Sequence, residues 1–273
     1  MQVFTSWAPP SGALGRILAD TSRRIAPLRR RAAKLESAAA AASEPPSFLD
    51  ALDRPTVAVI AEIKRRSPSN GSINPGLSVG AQAAAYERGG AAAISVLTET
   101  TSFGGAPHDL REAGAASGRP LLRKDFLIDP LQIVEARALG ASAVLLIARA
   151  LPPSMLATMI AEARGLALEP LVEVHDRDEL ERALALDTAV VGVNSRDLET
   201  LVIDRTVHDR LLPLVPEDRR AIAESGMATP ADVRRAAAAG ADAVLIGTAL
   251  SSSPDPVATL RTLTGIFRID RAG

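Results

Sequence analysis

The chain has no cysteine. That excludes disulfides, thiolate metal sites and a cysteine nucleophile. Its three histidines, His108, His175 and His208, are scattered and lack H-x-x-x-H spacing, which argues against a zinc site. No apolar run approaches the length of a membrane span. The formal net charge is -1, so there is no global basic field for nucleic acid and no acidic tail. Neither G-x-G-x-x-G nor a Walker loop occurs. Lysine is the scarcest charge. Of 31 Lys and Arg residues, only Lys34, Lys64 and Lys124 are lysine. Arginine serves wherever a positive charge suffices, and lysine is left where chemistry needs a cation that can lose its proton.

What is present suits a soluble globular protein. The chain has 273 residues, of which 47% are hydrophobic and 23% charged. That length fits one large α/β barrel or two smaller domains. Residues 57–68 read V-A-V-I-A-E-I-K-R-R-S-P, an apolar run of strand length ending in an acid and a base. Residues two apart on a strand share a face, so Glu62 and Lys64 point the same way. Lys124 ends a second apolar run, L-L-R-K-D-F.

Residues 12–42 are rich in Ala and Arg and poor in acids, as a transit peptide would be. Leu14, Ile17, Leu18 and Ile25 recur at helical spacing, which favours a surface helix with a basic face. After residue 56, short aliphatic runs alternate with alanine-rich stretches. The pattern predicts strands near 57–63, 92–97, 120–124, 143–148, 168–174, 189–193, 220–223 and 243–247. Helices are expected near 78–88, 107–116, 130–138, 153–164, 176–185, 204–213, 230–238 and 256–263. Asp129-Pro130 and Thr229-Pro230 mark helix starts, and Gly89-Gly90, Gly140 and Gly240 mark ends. Eight strands alternating with helices predict a TIM (β/α)8 barrel, α/β in class. A doubly wound sheet would want a glycine-rich turn after its first strand, where this chain has K-R-R-S-P-S-N-G.

In such a barrel the site is built from the C-terminal strand ends. Those ends carry Glu62 and Lys64, then Lys124 followed by Asp125 and Phe126, then Glu173 and His175. Further on come Asn194-Ser195-Arg196, Glu224-Ser225-Gly226 and Gly247-Thr248. The last two ends offer N–H groups and hydroxyls for phosphate. Carboxylates and lysines around one mouth predict proton transfer on a phosphorylated small molecule. A lysine beside another cation has its pKa lowered and can act as a general acid near neutrality; a Schiff-base lysine is also open. Phe103, Phe126 and Leu250 would form an apolar wall. His175 is expected behind the site or at a helix cap. Strand parity turns Asp125 and Arg196 away from the axis, unless a loop brings either one inward.

The segments I-A-E-I-K-R-R-S-P-S, L-L-R-K-D-F-L-I-D, L-V-E-V-H, V-N-S-R-D-L and A-E-S-G-M resemble the strand-end motifs of indole-3-glycerol phosphate synthase, a tryptophan-pathway family of phosphate-binding barrels. The resemblance spans roughly residues 12–264. It implies a helical extension over residues 1–50 that packs across the mouth, a catalytic barrel over 51–265, and a tail at 266–273. It implies a cytoplasmic carboxy-lyase that needs no metal or organic cofactor. The implied partners are the phosphorylated substrate alone, with no nucleic acid and no membrane, in a monomer or weak homo-oligomer open to pathway enzymes.

By the same resemblance, Lys124 would be the general acid for ring closure and Lys64 the acid of dehydration. Glu173 would stabilise positive charge or act as base, with Glu62 a further acid–base group. Asn194 and Glu224 would position the substrate. Ser225, Gly226, Gly247 and Thr248, with the backbone near Ser67, would hold phosphate. Phe103 and Phe126 would flank the aromatic ring, and Arg196 would contact substrate. Thr248 stands where the family often has Glu or Ser. In this picture Lys124 lies opposite the Glu62–Lys64 pair, and phosphate binds on the far side. A phosphoribosylanthranilate isomerase would need a Cys/Asp pair, which the absence of cysteine excludes. A binding protein that only kept the barrel would have lost strand-end charges, and none is missing.

Overall fold

The computed structural model describes residues 8–186 and 188–271. The first seven residues of the expected extension and the last two of the tail lie outside the described residues. Eight parallel strands close into one barrel. They are β1 (Ala58–Ile63), β2 (Ala93–Leu97), β3 (Leu121–Lys124), β4 (Ala143–Ile147), β5 (Glu169–Val174), β6 (Val190–Asn194), β7 (Arg220–Glu224) and β8 (Ala243–Ile246). β1 closes the ring by pairing on both sides, with Ile60 opposite Ala93 and Ala58 opposite Ala243. The strands are buried almost throughout, as sheets covered on both faces must be, and so they read as continuous apolar runs rather than alternating ones. Every strand lies within one residue of its expected limits.

Helices precede and cover the barrel: α1 (Gly12–Arg29), α2 (Ala32–Ala41), α3 (Phe48–Leu52), α4 (Val79–Gly89), α5 (Asp109–Ala116), α6 (Pro130–Ala138), α7 (Pro153–Gly165), α8 (Arg177–Ala185), α9 (Thr206–Leu211), α10 (Pro230–Ala238), α11 (Thr248–Ser251) and α12 (Pro256–Leu263). Their starts follow from side chains. Asp129 and Thr229 each form a capping box, with Gln132 and Asp232 returning the bond, and proline follows where its missing N–H costs nothing. Gly140 and Gly240 end α6 and α10 at φ of 87° and 89°, a backbone region that disfavours side chains. Two elements were not legible: the one-turn α11, and a small hairpin pairing Arg66–Ser67 with Gly71–Ser72.

The helical stretch at 12–42 is two helices, because the chain turns at Arg30 and Arg31. α1 lies on loops that leave the C-terminal ends of the strands. The N–H groups of Ala13 and Leu14 donate to the carbonyls of Glu199 and Leu198, beyond β6, at 3.3 and 3.1 Å. Arg29 pairs with Asp129, beyond β3, at 2.8 Å. Leu28, Leu35 and Ala39 pack on Val134 of α6. At the other end of the barrel, the Val57 N–H donates to the Ile266 carbonyl at 2.8 Å, and Thr56 bridges to Phe267. Arg271 reaches Asp242, just before β8, at 2.8 Å.

Candidate active site

A cavity of about 610 Å³ opens at the C-terminal ends of the strands. Glu62, Lys64, Ser67, Lys124, Phe126, Glu173, Asn194, Arg196, Glu224, Ser225, Gly226, Gly247 and Thr248 all line it, and so does Phe103. The structure therefore brings all of these residues to one mouth. Leu250 is a correction. It is fully buried in the core and does not reach the cavity, because α11 turns it inward onto the barrel wall. Ile17 of α1 and Leu198, Leu201 and Ile203 of the loop after β6 add the apolar rim instead.

Lys124 is the centre of the deep end. Its Nζ donates to Oε2 of Glu173 and to Oε2 of Glu224, each at 2.7 Å. Burial works against its charge, but Glu173, Glu224 and Glu62 outweigh that and raise its pKa above the ordinary lysine value. The expectation of a lowered lysine pKa is thus overturned for Lys124, because its neighbours are carboxylates and not a second cation. The two glutamates differ. Burial opposes the charge of Glu173, yet Lys124 and then His175 hold it below the usual carboxylate range. Glu224 is pushed up to about 8 by burial and the Glu173 charge, with Lys124 opposing. Two carboxylates share one ammonium, and their pKa values are driven apart, Glu173 down and Glu224 up.

Lys64 pairs with Glu62 at 2.9 Å. The end of β1 is pinned from outside: the Ser251 hydroxyl and the Tyr86 hydroxyl donate to the Glu62 carbonyl at 2.9 and 3.0 Å. The Lys64 N–H donates to Ser251 Oγ at 3.1 Å. The expected far-side phosphate site is a second correction. β8 is the neighbour of β1, so Gly247 and Thr248 stand beside Glu62 and Lys64. A methyl group on Gly247 would run into Glu62 Oε1 and lie 2.8 Å from Lys64 Nζ. Lys124 is also not opposite that pair, since only β2 separates β3 from β1.

Other residues hold these groups in place, and apart from Asp125 single-sequence reasoning missed them. Arg123 points outward from the position before Lys124. It donates to Gln132 O at 2.8 Å and pairs with Asp125 and Glu135 at 3.1 and 2.9 Å. That anchor fixes the strand so that Lys124 faces inward. Asp125 lines the cavity edge while its carboxylate also accepts from Thr98 at 2.7 Å. The buried Glu99 accepts the N–H groups of Thr101, Ser102 and Phe103 at 2.8, 2.6 and 3.0 Å, which sets the loop carrying Phe103. The Phe103 and Phe126 rings are 6.1 Å apart and tilted by 33°. Gly192 on β6 gives Glu224 its space, since a methyl group there would strike Oε1. The only signal for it was a glycine in a strand.

His175 stands behind Glu173, outside the cavity lining, as expected. Arg196 is turned inward by a short bridge to Ile203, and its Nη1 donates to Leu201 O at 3.0 Å. Burial lowers its pKa, against the pull of Glu62. Asn194 spends its Oδ1 on the Arg196 N–H at 2.9 Å, which fixes its rotamer. Ser225 and Gly226 both have positive φ, 66° and 69°, in the turn that leaves β7.

Among solved structures, the fold is similar to thiamine phosphate pyrophosphorylase from Pyrococcus furiosus, with a TM-score of 0.56 and 16% identity over 76% of this chain and 93% of that one. It is also similar to the N-acetylmannosamine-6-phosphate 2-epimerase from Clostridium perfringens, with a TM-score of 0.57 and 18% identity over 74% of this chain and 90% of that one. At that identity they establish the barrel alone. Sequence relatives are nearer. The indole-3-glycerol phosphate synthase of Opitutus terrae is 46% identical over 89% of this chain and 95% of its own length. Indole-3-glycerol phosphate synthase 2 of Streptomyces coelicolor is 46% identical over 93% and 100%. The Nocardioides sp. indole-3-glycerol phosphate synthase is 52% identical over 76% and 80%. The family model for indole-3-glycerol phosphate synthase matches residues 14–263, which takes in α1, the whole barrel and the cavity. The chain belongs to the indole-3-glycerol phosphate synthase family.

Proposed function

We propose that the cavity converts 1-(2-carboxyphenylamino)-1-deoxyribulose 5-phosphate to indole-3-glycerol phosphate, as a carboxy-lyase of tryptophan biosynthesis. The ring carbon bearing the carboxylate attacks the ketose carbonyl, whose oxygen takes a proton. Carbon dioxide then leaves, and loss of the new hydroxyl as water restores the aromatic ring. The steps are redox-neutral, so their balance calls for no cofactor. The observation that carries the reading is Lys124 held at 2.7 Å by both Glu173 and Glu224 at the floor of the mouth.

In this reading Lys124 is the acid that protonates the carbonyl oxygen. Its carboxylates keep the proton in place until substrate arrives, and the protonated Glu224 beside it can supply the next one. Lys64, next to the phosphate loops, is the acid for departing water, with Glu62 taking and returning protons. Glu173 faces the positive charge that develops on the substrate nitrogen. Asn194 and Arg196 hold the sugar hydroxyls and the carboxylate before it leaves, and Phe103 and Phe126 flank the ring. Phosphate sits on the N–H groups of Ser225, Gly226, Gly247 and Thr248, beside Ser67. We place the protein in the cytoplasm as a monomer or weak homo-oligomer. Among the described residues, no helix is long and apolar enough to cross a membrane.

The test is direct. Purified protein is given the substrate, and indole fluorescence and carbon dioxide release are followed with and without a chelator. Equal turnover in both is expected. A folded protein that makes no product removes the reading.

A further inference from the structure

Glu173 and Glu224 hold Lys124 at the same distance, yet what stands behind them differs. Oε1 of Glu224 has no hydrogen-bond partner and is packed against Gly192. Oε1 of Glu173 lies 3.3 Å from Nε2 of His175 as an ion-pair contact, and neither atom has a hydrogen-bond partner. His175 is held from its other side. Its Nδ1 lies 3.0 Å from Oε2 of Glu179, and its backbone N–H donates to that same oxygen at 2.8 Å. Glu179 Oε1 in turn accepts from Arg149 Nε at 2.6 Å. Arg149 also pairs with Asp176 at 3.0 Å and contacts Asp197 at 3.6 Å. His175, Glu173 and Glu179 are all buried.

The groups around the ring favour its charged form. Glu179 receives only donors, so it is ionised. A carboxylate stands at each nitrogen, Glu179 within hydrogen-bond distance of Nδ1 and Glu173 as an ion-pair contact at Nε2, and both favour the doubly protonated cation. The charged groups that face the ring are Glu173 on its own strand and Glu179 on α8, with Lys124 and Arg149 behind them. A row of alternating sign thus runs from Lys124 through Glu173, His175 and Glu179 to Arg149. Glu224 has no cation besides Lys124 within contact among the described residues.

We propose that His175, clamped by Glu179, is a positioning residue that keeps Glu173 the charged partner of Lys124 and so leaves Glu224 as the glutamate that carries a proton. The inference rests on reading the mouth as the synthase site. It separates the two glutamates by role: Glu173 stabilises cationic character, and Glu224 reloads the acid. The direction of the ring's pKa agrees, since Glu173 and Glu179 outweigh burial and raise it to about 9. The device is therefore intact at neutral pH and is lost as pH rises through that value.

The experiment uses His175→Gln and Glu179→Gln in the full chain. Kinetics are recorded from pH 6 to 10, alongside nitrogen NMR of labelled histidine. His175→Gln assigns the ring by deleting one of three pairs of ring-nitrogen signals. In the wild type, that ring should stay charged until about pH 9. Glu179→Gln should lower its midpoint by about one unit or more and draw the alkaline limb of kcat down with it. His175→Gln should cost about 100-fold in kcat at pH 7, keep KM within about threefold, and abolish that limb. A ring found neutral at pH 7 overturns the proposal. So does a kcat loss equal at all pH values with the Glu179→Gln limb unmoved. Should His175→Gln fail to fold, the wild-type titration and Glu179→Gln decide. Should the wild type make no product, the synthase reading fails, while the titration still tests the charge of the ring.

Discussion

Two buried ionic clusters sit at opposite ends of the barrel, and they are built on different terms. At the bottom, Asp242 Oδ1 pairs with Arg268 at 2.6 Å, and Oδ2 accepts from Arg271 at 2.8 Å and from the Ala221 N–H at 2.7 Å. Arg271 goes on to the carbonyls of Gly240, Pro216 and Arg219. Positive charge is in excess there, and both carboxylate oxygens are matched. At the top, one ammonium faces two carboxylates, and Oε1 of Glu173 and of Glu224 has no hydrogen-bond partner. A buried polar atom without a partner costs free energy, about 1–3 kcal/mol each. Such atoms occur elsewhere too, Arg271 Nε of the bottom cluster among them, but at the top they belong to carboxylates that line a cavity a substrate can enter. The bottom cluster secures the chain, and the top cluster is left incomplete for chemistry.

The largest effect expected from this difference is in Lys124→Ala. It removes the cation from two carboxylates and the acid from the reaction, so kcat should fall by about 1,000-fold or more. A stopped fluorescence assay at saturating substrate measures it. A variant with near wild-type kcat would sink the general-acid role. The fold itself should survive, because the deleted side chain leaves a cavity that water can reach and the raised pKa of Glu224 eases its neutralisation.

Asp242→Asn should do the reverse. It strands Arg268 and Arg271 without their counter-charge, at a cost of about 3–5 kcal/mol, which lowers Tm by roughly 10 °C in a domain of this size. KM and kcat at 25 °C should stay within about twofold of the wild type. A changed KM in the still-folded variant would show that the two ends are coupled, and the contrast would be wrong.

How much of this could be read beforehand depends on the range of the interactions. Strand limits and the caps at Asp129 and Thr229 were legible, because burial on both faces and local side-chain bonds write themselves into neighbouring residues. Lysine scarcity picked out Lys64 and Lys124 for the same reason, since each ends an apolar run. The sign of the pKa shift at Lys124 was not legible. It depends on Glu173 and Glu224, which lie 49 and 100 residues away and meet it only across the closed barrel. The space that Gly192 and Gly247 leave for Glu224 and Glu62 is likewise a fact of packing between strands. The tail at 266–271 carried no motif, because its contacts with Asp242 and Val57 are made by two arginines and by backbone.

α1 belongs to the top cluster's surroundings and gives a third, smaller test. Ile17 lines the cavity, and Arg24 approaches Glu99 and Asp125 at 3.9 and 3.8 Å. Deleting residues 1–45 should therefore raise KM by about tenfold or more while the barrel stays folded, as circular dichroism and initial rates would show. An unchanged KM and kcat would reject a role for this helix in closing the mouth.

Thr248 sharpens the comparison at its finest scale, because it adjoins Gly247 and differs from it in what the site needs. Position 247 has no room for a side chain, since the Glu62–Lys64 pair occupies that space. Position 248 supplies an N–H at the start of α11 and a hydroxyl at the cavity edge. In Thr248→Ala the N–H remains and one neutral hydrogen bond to phosphate goes, worth roughly 0.5–1.5 kcal/mol. KM should rise about threefold with kcat unchanged, read from initial rates against substrate concentration. A fall in kcat would mean that the phosphate loops also set the geometry of Lys64, one residue's width away. The division between binding and proton transfer at this rim would then have to be redrawn.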